Sequence, residues 1–143
     1  WSNTLDAGSL TLNDLTSDSI TRIAIAQPAH APYGLRAREA MQAAGVWEVV
    51  QPKLVFGENI AHAAQMAASG AAQVGVIALS LAKFPELATH SHYLIDDNLH
   101  NPLTQGYVVT RRGGDKPKAM HFADFMATEQ AHSIMEQYGF VMP

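Results

Sequence analysis

Three groups of residues in this chain of 143 are of types that do chemistry. The first is His90-x-His92 with His100 nearby, where one face of an extended segment would bring two imidazoles together as metal ligands. The chain has no cysteine, and no carboxylate completes a recognisable ligand spacing, although Asp96 and Asp97 lie close. The histidines therefore read as surface residues, and no cation site is expected. The second group is Asp96-Asp97 itself. Adjacent side chains in a strand or turn point apart, so the pair reads as a solvated loop rather than an acid/base couple. Ser80 stands outside any G-x-S-x-G elbow, and there is no G-x-G-x-x-G or Walker loop. With no nucleophile in a catalytic setting, no enzyme and no cofactor are expected.

The third group is the stretch IAIAQPAHAPYGLRAREAM, Ile23 to Met41, where an apolar run breaks into a stiff loop and then a helix. In open α/β sheets, ligands gather at the carboxyl ends of strands, where a loop feeds a helix whose first N–H groups have no internal partner. Free donors of that kind attract anions. Pro28 and Pro32 stiffen the loop, Tyr33 and Gly34 lie at the expected helix start, and glycine at 34 would let a bound group approach the backbone. An anion seated there is held by backbone N–H groups rather than by a neutralising cation. Arg36 and Arg38, just inside the helix, read as solvated or paired with neighbours such as Glu39.

The elements that must position this loop follow from pattern. Short apolar runs predict strands over Arg22 to Ala26, Lys53 to Gly57, Gln73 to Ala78, His92 to Ile95 and Gln105 to Arg111. Helical patterns fill Leu35 to Ala44, ending at Gly45, and the stretch from Asn59 to Gly70. Strand–helix alternation of this kind predicts crossover units on a mainly parallel sheet. After TRRGGDKP, a turn-rich breaker, Phe122, Phe125 and Met126 form one apolar stripe, and Ala131, Ile134, Met135 and Tyr138 form another. Thr128 and Gly139 are placed to cap the second helix.

Composition bounds the remaining classes. Hydrophobic residues make up 48% and charged residues 15%, enough for one compact globular core. A net charge of −4 with no basic run longer than Arg111-Arg112 argues against a nucleic-acid partner. The absence of cysteine fits a reducing cytoplasm and a disulfide-free periplasmic protein equally well. Trp1-Ser2-Asn3 carries neither an initiator Met nor the regions of a signal peptide, so the chain reads as a piece of something longer.

The segment from IAIAQPAHAPYG through GENIAHA to GVIALS, continued by NPLTQGYVV and HFADFMATEQAHSIMEQYGFVMP, resembles the periplasmic molybdate-binding proteins of molybdate ABC transporters. The resemblance covers nearly the whole chain, and APYG and GENIAHA are its most specific parts. It implies an α/β, periplasmic-binding-protein type II-like lobe with a mainly parallel sheet flanked by helices and a C-terminal helix pair. Residues 1–111 would be the second lobe, entered by a strand crossing between lobes at WSN, and residues 112–143 the helices that in the family pack on the first lobe. It further implies a binder of molybdate or tungstate that delivers the oxyanion to the membrane permease of an importer, located in the periplasm. Of the family's donors, Tyr33 in APYG and Ile77 in GVIALS match positions whose backbone N–H groups reach the oxyanion, with Pro32 and Gly34 flanking the first. Some members add a tyrosine hydroxyl before a proline. Here that position is Asn101, whose amide could substitute. The alternative is an effector-sensing domain of a cytoplasmic transcription regulator, which shares this architecture. The apolar stripes of the last two helices need a cover: either they fold back onto their own sheet, or, the favoured expectation, two chains form a homodimer by exchanging these helices across an Arg111 to Pro117 hinge.

Overall fold

A computed structural model describes residues 1–142 and divides the chain into two compact units, Trp1–Leu103 and a second from Thr104 onward. The first unit is built on a sheet of three parallel strands, β1 (Ile23–Ala26), β2 (Leu54–Gly57) and β3 (Val74–Gly75), in the order β2-β1-β3. Ile23 lies opposite Leu54 on one side and Val74 on the other. As the central strand, β1 is covered on both faces, and its four residues are wholly buried.

The alternation of Ile and Ala in β1 matches two different layers. Ile23 and Ile25 pack with Ala37, Ala40 and Met41 of α1 (Pro32–Ala43), with Val50 of the short α2 (Trp47–Val50), and with Leu12, Leu15 and Ile20 from the segment leading into the sheet. Ala24 packs on the other face against Ala63 of α3 (Ile60–Ala68). Small residues there let helix and sheet approach closely. A Cβ on Gly57 would lie 2.6 Å from the Ala63 nitrogen, and one on Gly75 would lie 2.8 Å from the Ala67 Cβ. After β3 the chain turns through α4 (Leu79–Ala82). Helix ends obey the sequence: Gly45 and Gly70 take positive φ just past α1 and α3, and the Asn59 side chain caps α3 by accepting from the His62 N–H.

Polar side chains pin the first unit's long connections. Trp1 and Gly75 exchange both backbone hydrogen bonds, at 3.1 and 2.9 Å, the mark of an antiparallel pair beside β3. The Gln73 side chain accepts from the Thr21 and Arg22 N–H groups and donates to the Ser19 carbonyl. The Lys53 ammonium donates to the carbonyls of Leu15, Thr16 and Ser17 at 2.7 to 3.1 Å.

The second unit holds α5 (Arg111–Gly114), α6 (Pro117–Met126) and α7 (Glu129–Gln137), the last capped by Thr128 and followed by Gly139 at positive φ. Three expectations are corrected here. His92 to Ile95 and Gln105 to Arg111 are not strands, because neither segment has a ladder partner among the described residues. The stretch opening the expected hinge, Arg111 to Gly114, is a helical turn capped by the Thr110 side chain. The units divide after Leu103 rather than after Arg111, because residues 104–110 join the C-terminal unit, where the Tyr107 hydroxyl donates to the Ala123 carbonyl. No helix among the described residues is long and apolar enough to cross a membrane.

Candidate functional site

Because β1 and β3 are adjacent and parallel, their carboxyl ends open on the same edge of the sheet. From β1 the chain crosses a five-residue loop, Gln27 to Ala31, into the first turn of α1. From β3 it passes Val76, whose N–H still bonds Ala24, to Ile77. Pro32 is the first helical residue and has no N–H, and the Leu35 N–H is already bonded to the Ala31 carbonyl. Ala31, at the cap position, offers no side-chain acceptor. The N–H groups of Tyr33 and Gly34 are thus left without an acceptor among the described residues, and so is the N–H of Ile77. The Tyr33, Gly34 and Ile77 N–H groups therefore stand free at the ends of two neighbouring strands, and those of Ala78, Leu79 and Ser80 just beyond have no acceptor among the described residues either.

The expected site residues divide on inspection. Pro32, Tyr33, Gly34 and Ile77 belong to this edge. Asn101 lies beside the second turn of α1, where its N–H donates to the Glu39 carboxylate at 2.9 Å. That bond first, and the Arg36 guanidinium second, hold the Glu39 carboxyl below the usual range. One Arg36 nitrogen is paired with Glu39 while its buried Nε has no hydrogen-bond partner among the described residues, and Arg38 lies over the Trp47 ring at 5.6 Å. Burial pushes the half-buried Tyr33 phenol up from its ordinary value.

The reason for glycine at 34 is corrected. A Cβ there would sit 2.1 Å from the Ala26 carbonyl oxygen and 2.9 Å from the Gln27 carbonyl carbon. The missing side chain lets α1 press against the end of its own strand, and the space is filled by the protein's backbone, not held open for a bound group.

A cavity of about 320 Å³ lies on the loop itself, lined by residues 28–32, Leu35 and Arg36. Its walls are chiefly proline, alanine and leucine carbon. The one aromatic ring among them, His30, bonds the Glu58 carbonyl at 3.2 Å. No three His, Cys, Asp or Glu side chains converge as a metal centre among the described residues. His90 packs edge-on to Trp1, and burial, then the terminal ammonium and Lys83, keep His92 below the ordinary imidazole value. Gly34, expected at the site, offers a backbone N–H there.

A family model for bacterial extracellular solute-binding proteins matches residues 2–141. The chain is 37% identical over 136 residues to the molybdate-binding protein ModA of Rhodobacter capsulatus, covering 95% of this chain and 51% of that protein. It is 32% identical over 127 residues to ModA of Azotobacter vinelandii, covering 88% and 50%. Among solved structures, the periplasmic molybdate-binding protein of Azotobacter vinelandii aligns with a TM-score of 0.87 at 26% identity, covering 100% of this chain and 63% of that one. The chain spans about half the length of the curated relatives it matches.

Proposed function

The chain belongs to the bacterial extracellular solute-binding proteins, and on that premise we propose that it is the second lobe of a periplasmic molybdate- or tungstate-binding protein serving the membrane permease of an ABC importer. The observation that carries the reading is the trio of unpaired N–H groups of Tyr33, Gly34 and Ile77 at the ends of β1 and β3. Neutral, fixed donors suit a fully ionised tetrahedral dianion, whose oxygens only accept. They disfavour a protonated phosphate, which would bring a donor where only donors wait. The names of the relatives, molybdate-binding proteins in four genera, support the choice of oxyanion. The role is capture and delivery, without turnover, and no cofactor takes part.

In this reading the 143-residue chain holds half of the donors, and tight capture requires the desolvation that a second lobe provides. Calorimetric titration with molybdate, tungstate, sulfate and phosphate tests it. The expected result is weak binding, with molybdate and tungstate competing closely and sulfate behind both. Displacement of molybdate by sulfate at equal concentration would overturn the substrate assignment, and submicromolar molybdate affinity in a monomer would overturn the half-site.

A further inference from the structure

The loop that presents Tyr33 and Gly34 has little holding it. Between β1 and α1 its internal bonds are the turn made by the Gln27 carbonyl, which accepts from the N–H groups of His30 and Ala31 at 3.3 and 2.9 Å, and a long bond from the Ala29 N–H to the Gln27 side-chain oxygen at 3.5 Å. One backbone bond, from the Gln27 N–H to the Gly57 carbonyl at 2.8 Å, ties its start to the end of β2. Further along, no side chain caps α1, and Pro28, Ala29, Ala31 and Pro32 have no side-chain donors with which to tether it. The exception is His30. Its Nε2 lies 3.2 Å from the Glu58 carbonyl oxygen, in the loop joining β2 to α3. A carbonyl only accepts, so Nε2 carries the proton and donates. Glu58 is itself placed: its N–H points to the His62 Nδ1 at 3.4 Å, and the next residue, Asn59, caps α3. His30 thus fastens the donor loop to a neighbour anchored on the sheet and on α3.

Resting on the oxyanion-binding reading above, we propose that His30 is a positioning residue for oxyanion capture, holding the β1–α1 loop against Glu58 so that the Tyr33 and Gly34 N–H groups are already aimed before a ligand arrives. Donors fixed in advance cost no ordering when the ligand binds, whereas a loop free to move must be ordered at the expense of affinity. Because the bond is exposed and lies outside the core, it contributes to donor geometry far more than to folding.

The test is molybdate titration of the chain as His30→Ala and as His30→Gln, followed in the two-dimensional amide spectrum, with thermal unfolding of each. Glutamine keeps an amide donor at about the position of Nε2, and alanine has none. His30→Ala is expected to weaken molybdate binding about 3- to 10-fold with the unfolding midpoint unmoved, while His30→Gln returns to within about twofold of the unsubstituted chain. Equal affinity in all three proteins would overturn the proposal, as would a glutamine variant no better than alanine. If molybdate shifts none of the Tyr33, Gly34 and Ile77 amides in the unsubstituted chain, the binding reading itself fails and the positioning role falls with it. If those amides shift and His30→Ala changes nothing, only the positioning role fails.

Discussion

Tyr33, Gly34 and Ile77 act through main-chain atoms, so their side chains answer to packing. Gly34 is the sharpest case. A methyl group there meets the Ala26 carbonyl at 2.1 Å, a backbone group that can retreat only by moving β1 or α1. Gly34→Ala is expected to cost about 3 kcal/mol or more in urea unfolding, at the upper end of overpacking penalties. Gly114→Ala is the control. Its Cβ would find open space at the end of a helical turn, and the variant should be as stable as the original chain or slightly more so. Equal stability of the two variants would mean that α1 does not press on the strand end as described.

At the scale of elements, the sequence was legible wherever local signals and tertiary packing agree. The run IAIA was readable as a buried strand because both faces of β1 are covered, and Asn59, Gly45, Gly70, Thr128 and Gly139 stand where the helices begin and end. Pro32 starts α1 two residues before Gly34, because its missing N–H costs nothing at the first helical position. The reading failed where an apolar run lacks a neighbour. Tyr107, Val108 and Val109 have strand propensity, yet a strand exists only through a ladder, and residues 105–111 have none. The same holds for residues 92–95. Of the site, the βα loop and both strand ends were readable from pattern and resemblance. The bond from Asn101 to Glu39 was not, since nothing local links residues 62 positions apart.

For the molecule as a whole, the two units differ in how well they bury themselves. The first has a core on both faces of its sheet. Of the described residues from Thr104 onward, Ala131 alone is fully buried, while Tyr107, Val108 and Phe122 are 61%, 82% and 62% exposed. Apolar surface of that kind is a liability in water. The chain by itself is expected to associate, with light-scattering mass rising with concentration and falling back on Phe122→Asp. A mass fixed at that of one chain across the series would show that the C-terminal stripe does not drive association.

The ends of β1 and β3 are proposed to form half of an oxyanion site made of backbone donors. The amide spectrum of this chain, titrated with sodium molybdate, addresses it residue by residue. The Tyr33, Gly34 and Ile77 signals are expected to move furthest and along one saturable course, since their unpaired N–H groups stand at the strand ends where the anion is proposed to sit. Shifts centred instead on His90, His92 and His100, or on Arg111 and Arg112, with those three amides unmoved, would contradict it.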